Sequence, residues 1–374
     1  MFLQSDRAVL DELLPGLDQE LAKRSLDELE APGNEGLQLF KEAGGTGLLI
    51  PTEHGGLGAS ARASVQCTRA LGTRSPSLAV AATMHNFSVA SLVEVAHHSD
   101  GFEWMLLDAI ANDRLLLSSA FAEGRSGQGV LSPKMTARRQ GAEWVVNGRK
   151  KPCSLSRSMD LITASVALHD GDAEPQLGFV LVPAKTAGIR VVPFWNSAVL
   201  TGAESDEVIL EDVVISDELV VRPDLDPDSH LDNVQTVGLI WFSLLVGASY
   251  LGVAGALAER LRESGRDDRT CTTALLDLEG AGLALDRVAW GLDTGEDDNH
   301  AVARALTARY TAQDAARRVA DACVEALGGI GFVSSPDVAY LVGATHAAQF
   351  HPPSRRSALS AFSAYFDGEP LRVD

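Results

Sequence analysis

His351 stands in the stretch AAQFHPPSRRS (347–357), one imidazole ahead of two prolines, a serine and two arginines. An imidazole with a pKa near 6.5 can give or take a proton at neutral pH. The prolines stop a helix, because the ring removes an N–H and fixes φ. The same histidine therefore also reads as a surface residue at a helix C-terminus, favoured there by the dipole. His85, in MHNFS (84–88), is a second imidazole in an otherwise apolar helical run, where a hydrogen-bonded core residue and a cavity residue are both open readings. Ser154 and Ser156, in NGRKKPCSLS (147–156), offer hydroxyls after a hairpin, and a solvated loop explains them equally well. The polar loop SAFAEGRSGQG (119–129) has the composition to present backbone N–H groups to an anion. In EALGGIGF (325–332), Gly328, Gly329 and Gly331 exceed what one helix C-cap needs, and they would let a ring or a phosphate approach the backbone. No strand precedes them, so they are not a dinucleotide-binding fingerprint. PTEHGGLG (51–58) reads on its own as a turn between helices.

The elements that must position these residues fall into three zones. Residues 1–113 carry apolar residues at helical spacing, as in DRAVLDELLPGLDQELAKRSLDEL, GLQLFKEAGGTGLLIP and SPSLAVAATMHNFSVASLVEVAHH. Residues 114–222 change to short β-rich runs divided by Gly, Asn, Asp and Pro: EWVVNG, DLITASVALH, LGFVLVP, GIRVVPFW and DEVILEDVVI. RRQGAEW supplies a hairpin reversal, and a small antiparallel sheet or barrel is expected. RPDLDPDSHLD (222–232) is an acidic linker. From 223 to 374 the helical period returns in long Ala- and Gly-containing runs that predict a bundle.

At 374 residues the chain exceeds one ordinary core, and two or three domains are expected. Its formal charge of −20 disfavours nucleic acid and anionic membranes as partners, although local arginines or helix N-termini can still hold a phosphate. No uninterrupted apolar stretch of about 18 residues predicts a membrane span, and the start MFLQSDRAVLDELL lacks the pattern of a signal peptide. Cys67, Cys153, Cys271 and Cys323 are widely spaced without a CxxC pair, which points to a reducing, cytoplasmic setting and away from a thiolate metal site.

Taken together, the four glycine and hydroxyl segments resemble the acyl-CoA dehydrogenase superfamily of flavoproteins over nearly the whole chain. Pro51, Gly55, Gly56 and Gly58 match that family's P-x-x-x-GG-x-G element; Asn147, Gly148 and Lys150 match NG-x-K; Gly328, Gly329, Gly331 and Phe332 match GG-x-GF. Ala122-Glu123-Gly124 matches the TEP-GSD loop in part, and VLTGAESDEVILEDVVI resembles the strand that follows. The resemblance implies an α+β fold: an N-terminal helical domain, a middle antiparallel β domain and a C-terminal four-helix bundle. It implies FAD lying between sheet and bundle, with FMN in the monooxygenase branch, and assembly as a homodimer or homotetramer. The resemblance places Ala122, Glu123, Gln128, Ser154, Glu325, Gly328, Gly329 and Ser354 at the cofactor, with Ser154 where the family has a threonine near flavin N5.

Several positions depart from the pattern. Pro152 replaces a tryptophan beside the ring, Ala122 a Thr or Ser, Gln128 a Ser, and Glu325 a Gln. Val342-Gly343 stand where an Arg-Asp pair is expected. His351 takes the place of the glutamate that removes the substrate's α-proton, and Phe242 takes the alternative glutamate position on the first bundle helix. One reading is α,β-oxidation of an acyl-CoA or acyl-carrier thioester, with His351 as substitute base and an electron-transfer partner. The other is a flavin-dependent monooxygenase that uses O2, with His351 and His85 beside the cofactor. A non-catalytic flavin- or ligand-binding protein is the third.

Overall fold

The computed structural model describes residues 3–98, 101–124, 132–222 and 233–373. Helices open the chain: α1 (Gln4–Leu13), α2 (Leu17–Ala22), α3 (Leu26–Glu30), α4 (Gly36–Glu42), α5 (Ala61–Arg74), α6 (Pro76–His97) and α7 (Phe102–Asn112). The first expected helical run is three short helices, broken at Pro15-Gly16, where Gly16 takes φ 83° at the start of α2. Ser25 and Glu28 close a capping box on α3, and Ser75 caps α6 with Pro76 in its first turn.

Eight strands follow: β1 (Leu117–Ala120), β2 (Thr136–Gln140), β3 (Glu143–Cys153), β4 (Leu161–His169), β5 (Gln176–Pro183), β6 (Ile189–Val192), β7 (Asp206–Ser216) and β8 (Val220–Val221). Their order is β6-β7-β3-β2-β4-β5-β8, with β1 on β4. β2 and β3 form the hairpin expected at RRQGAEW, turning at Gly141 with φ 65°. Most pairings are antiparallel, but β1 and β2 both run parallel to β4. The bundle is α8 (Asn233–Glu263), α9 (Asp268–Asp293), α10 (Asn299–Ser334) and α11 (Pro336–His346), followed by α12 (Arg355–Phe366).

The zones are consecutive in sequence, yet the N-terminal helices and the bundle share one apolar core. That core runs from Leu10 and Phe40 through Leu71 and Leu78 to Leu244, Leu257 and Leu306. The close approach of α5 to α8 requires glycine on both sides. A Cβ on Gly72 would lie 2.4 Å from the Ser249 carbonyl oxygen, and one on Gly252 would lie 2.2 Å from that of Arg69. The sheet keeps its own core around Trp144, Val146 and Val166. Two helices, Pro76–His97 and Val234–Glu263, have the length and hydropathy of a membrane span; their most apolar windows are 78 % and 83 % buried inside this fold. The four cysteines are buried and free.

Candidate active site

A cavity of about 350 Å3 opens where α6, the sheet and the bundle meet. Gln235, Leu239, Phe242 and Tyr250 line it from α8 at helical spacing. From the sheet side come Ser119, Ala122, Pro152 and Ser154, and from the segment after α11 come Phe350, His351 and both prolines. The inner wall is aromatic. Phe242 lies 5.2 Å from Phe87, Phe87 lies 5.9 Å from Phe121, and Phe121 lies 5.8 Å from Phe179, centroid to centroid. Four rings from three parts of the chain thus form one continuous apolar surface.

His351 is extended (φ −73°, ψ 129°), the conformation that a following proline imposes. Its Nε2 lies 2.8 Å from the Tyr250 hydroxyl, and its ring packs edge-on against Phe242 at 6.0 Å. The half-buried residue lines the cavity. Burial, with Arg309 adding to it, lowers its pKa to about 3, so the ring is neutral at physiological pH. Burial also raises the Tyr250 pKa and keeps the phenol protonated.

On the opposite wall, the Ser154 hydroxyl lies 3.0 Å from that of Ser205, and its carbonyl accepts from Ser118 Oγ at 2.6 Å. Ala122 is held by the next residue in the chain. Glu123 Oε1 accepts from Lys150 Nζ at 2.9 Å and from the Lys134 and Met135 N–H groups at 2.8 and 3.1 Å. Lys150 also donates to Ser165 Oγ at 3.0 Å. Burial lowers the Lys150 pKa; for Glu123 the burial is outweighed by its bonds to Lys150 and the backbone, and its pKa falls. The carboxylates on the cavity lining are Glu103, on α7, and Glu218, in the turn after β7.

Family models of the acyl-CoA dehydrogenase N-terminal, middle and C-terminal domains match residues 4–99, 118–213 and 244–350. The chain belongs to the acyl-CoA dehydrogenase family. Among its relatives, the isobutylamine N-hydroxylase of Streptomyces viridifaciens is 42 % identical over 99 % of both chains. Solved structures share the fold: a nitrososynthase from Micromonospora carbonacea var. africana superposes with a TM-score of 0.83 at 19 % identity over 98 % of both chains. FMN-bound TdsC from Paenibacillus sp. A11-2 gives 0.80 at 16 % over 99 % of both.

Within this acyl-CoA dehydrogenase fold, His351, Ser154 and Ala122 meet at one cavity. His85 does not line it. That imidazole is fully buried, accepts from the Leu117 N–H at Nδ1 (3.0 Å) and lies 2.9 Å from the Thr46 carbonyl through Nε2. Its partners are backbone, its pKa is lowered by burial to about 4, and of its two open readings the core residue is the one that forms. Glu123 sits beneath the cavity loop as an anchor and not on the wall. Ser354, expected at the cofactor, instead caps α12 by accepting from the Ser357 N–H at 3.2 Å. Glu325 and Gly329 are exposed on α10, and Gly328 breaks that helix at φ 70°, ψ 177°. None of the three lines the cavity. Gln128 lies outside the described residues.

Sequence reasoning passed over Tyr250 and Arg309. The signal for Tyr250 is its spacing of eight from Phe242, two turns on along the same face of α8. That for Arg309 is an arginine in the stripe Val302, Leu306, Gln313, otherwise the buried face of α10.

Proposed function

We propose that this protein is a flavin-dependent monooxygenase that N-hydroxylates a small aliphatic primary amine. The observation that carries this reading is the electrostatics around His351. Burial and a nearby buried arginine push that imidazole to about 3, and the same two influences lower the pKa of an ammonium bound beside it. Both influences favour the neutral amine, with the nitrogen lone pair that oxygen transfer requires. The net change is RNH2 + O2 + two electrons + two protons giving RNHOH and water, the electrons coming from a separate reductase. The isobutylamine N-hydroxylase relative supports the same chemistry.

The residues present fit a flavin between sheet and bundle. Ser119, Ala122, Pro152 and Ser154 line the cavity from the sheet and His351, Pro352 and Pro353 line it from the segment after α11, and the Ser154 and Ser205 hydroxyls can bond ring heteroatoms. Bound and reduced, FMN or FAD would supply the electrons that activate O2. The chain's own contribution is placement. The aromatic wall takes the alkyl group and excludes water, and neutral His351 offers a hydrogen-bond partner to the amine or the oxygen. We take residues 1–113, 114–222 and 223–374 as the three units that build the site.

A second reading, α,β-oxidation of an acyl thioester, has one observation in its favour. Glu103 and Glu218 line the cavity, so a carboxylate could replace His351, whose low pKa makes it a poor base for a carbon acid. The two readings separate in one experiment. Flavin-loaded protein is supplied with a flavin reductase, NADH, O2 and isobutylamine, and hydroxylamine is assayed; in parallel it is titrated anaerobically with acyl-CoAs. Hydroxylamine formation without bleaching is expected. Bleaching by an acyl-CoA without amine oxidation would overturn the proposal.

A further inference from the structure

We propose that Arg309 is a positioning residue that fixes the His351 segment, and with it the imidazole, against the cavity. This rests on the function proposed for the site only in the use to which the imidazole is put. The geometry stands by itself.

Pro352 and Pro353 have no N–H, so this turn cannot close its own hydrogen bonds, and its three consecutive carbonyls need outside donors. Arg309 meets them all. Nη1 donates to the Pro352 carbonyl at 3.1 Å, and Nη2 donates to that of His351 at 3.1 Å and to that of Pro353. Tyr310, the next residue on α10, donates its hydroxyl to the Pro353 carbonyl at 2.9 Å. Arg309 is 2 % exposed. Among the described residues it forms no ion pair with a carboxylate; its guanidinium instead lies over the rings of Phe242 (5.7 Å) and Tyr310 (5.1 Å). Burial lowers its pKa only to about 10, so it remains a cation.

A buried arginine bonded to carbonyls is costly for stability alone, and its placement is explained by what it holds. The planar fork reaches three carbonyls from two nitrogens in a fixed geometry, whereas a lysine would have to gather all three around one freely rotating ammonium. Among the described residues, the titratable or charged groups around the imidazole are Tyr250 from α8 and Arg309 and Tyr310 from α10. The Asp314–Arg355 ion pair joins α10, beyond Arg309, to the start of α12. Arg309 thus holds the backbone that carries the imidazole, and its positive charge adds to the burial that keeps the ring uncharged.

The test reads His351 directly and needs neither cofactor nor turnover. The apo protein is labelled with 13C at histidine Cε1, and the His351 signal is assigned by its loss in His351→Gln. In the wild type one sharp signal without titration between pH 5 and 8 is expected. In Arg309→Gln the signal should shift and titrate inside that window. In Arg309→Lys, the variant that decides if Arg309→Gln fails to fold, it should broaden or split while staying largely neutral. A folded Arg309→Gln or Arg309→Lys protein whose His351 signal matches the wild type at every pH would overturn the proposal. Failure of amine hydroxylation alone would leave it standing.

Discussion

His351 Nε2 and the Tyr250 hydroxyl lie 2.8 Å apart and tie the segment after α11 to the middle of α8. Both partners are uncharged, since burial holds the proton on the phenol and keeps the imidazole unprotonated. A bond between neutral groups in a dry wall does not switch across physiological pH, so the imidazole presents the same face to whatever enters the cavity. Tyr250→Phe should leave the fold intact and lower amine turnover about 10-fold, the order expected for one hydrogen bond in a desolvated site. Steady-state kinetics checks it; an unchanged kcat would place Tyr250 outside the reaction.

Acid should destabilise the protein through its buried histidines. His351 titrates at about 3 and His85 at about 4 in the fold, against about 6.5 in an unfolded chain. Between those values the unfolded chain binds protons that the folded one does not. Stability is therefore complete above about pH 6.5 and falls as pH drops towards 4 and 3. At pH 5 each histidine accounts for a loss on the order of 2 kcal/mol. Urea midpoints at pH 7.5 and 5 should show this loss, reduced by about one histidine's share in His351→Gln.

Lys150 and Glu123 hold the Ala122 loop as a buried ion pair, with side chains 0 % and 8 % exposed. Lys150→Met removes one charge and leaves the other buried, so about 3–5 kcal/mol of stability should be lost. Adding Glu123→Gln should restore part of it, because the amide keeps an oxygen for the Lys134 and Met135 N–H groups. Chemical denaturation of the two single variants and the double variant measures the coupling. Strictly additive losses would mean the pair does not act as a unit.

The sequence told much about the fold and less about the site. Periodicity located α6, α8 and β3 to β7, because long apolar stripes and β-branched runs record burial directly. It missed β1 and left β2 only as the unnamed arm of the RRQGAEW reversal, since LSSA and TARRQ carry little hydrophobic signal and are strands because they pair end to end along one edge of β4, whose other edge holds β5. His351 and Ser154 were legible through the resemblance. Ser354 was not, because the same serine serves as a helix cap and only the turn geometry decides. Arg309 was invisible for a related reason: its partners are three backbone carbonyls, which have no residue type to read.

Helix α9 carries Leu276, Leu283 and Trp290 at seven-residue spacing, 69 %, 61 % and 51 % exposed. A ladder of large apolar residues on one helix face is the pattern of a helix-packing surface, and the occupant expected here from the family resemblance is a second copy of this chain. Sedimentation velocity should give a species larger than the monomer for the wild type, and Leu283→Glu should shift it to lower mass. A wild type that sediments as a monomer at micromolar concentration would remove this expectation.

Phe242 fills the position on α8 where a dehydrogenase branch keeps its glutamate, and its ring joins the imidazole of His351 to the aromatic wall through Phe87. Phe242 lines the cavity, so on the proposed amine hydroxylation its ring is expected to limit the length of amine that fits. Phe242→Ala opens space that a longer alkyl chain can fill and a short one leaves empty. Each methylene newly accommodated is worth about 10-fold in kcat/KM. The ratio of hexylamine to isobutylamine turnover should therefore rise at least about 10-fold, with the affinity of the two amines moving in the same sense. Measuring binding as well as turnover separates a change of cavity shape from damage to the reaction. An unaltered preference in both, in a folded variant, would show that the chain-length limit lies elsewhere on the wall.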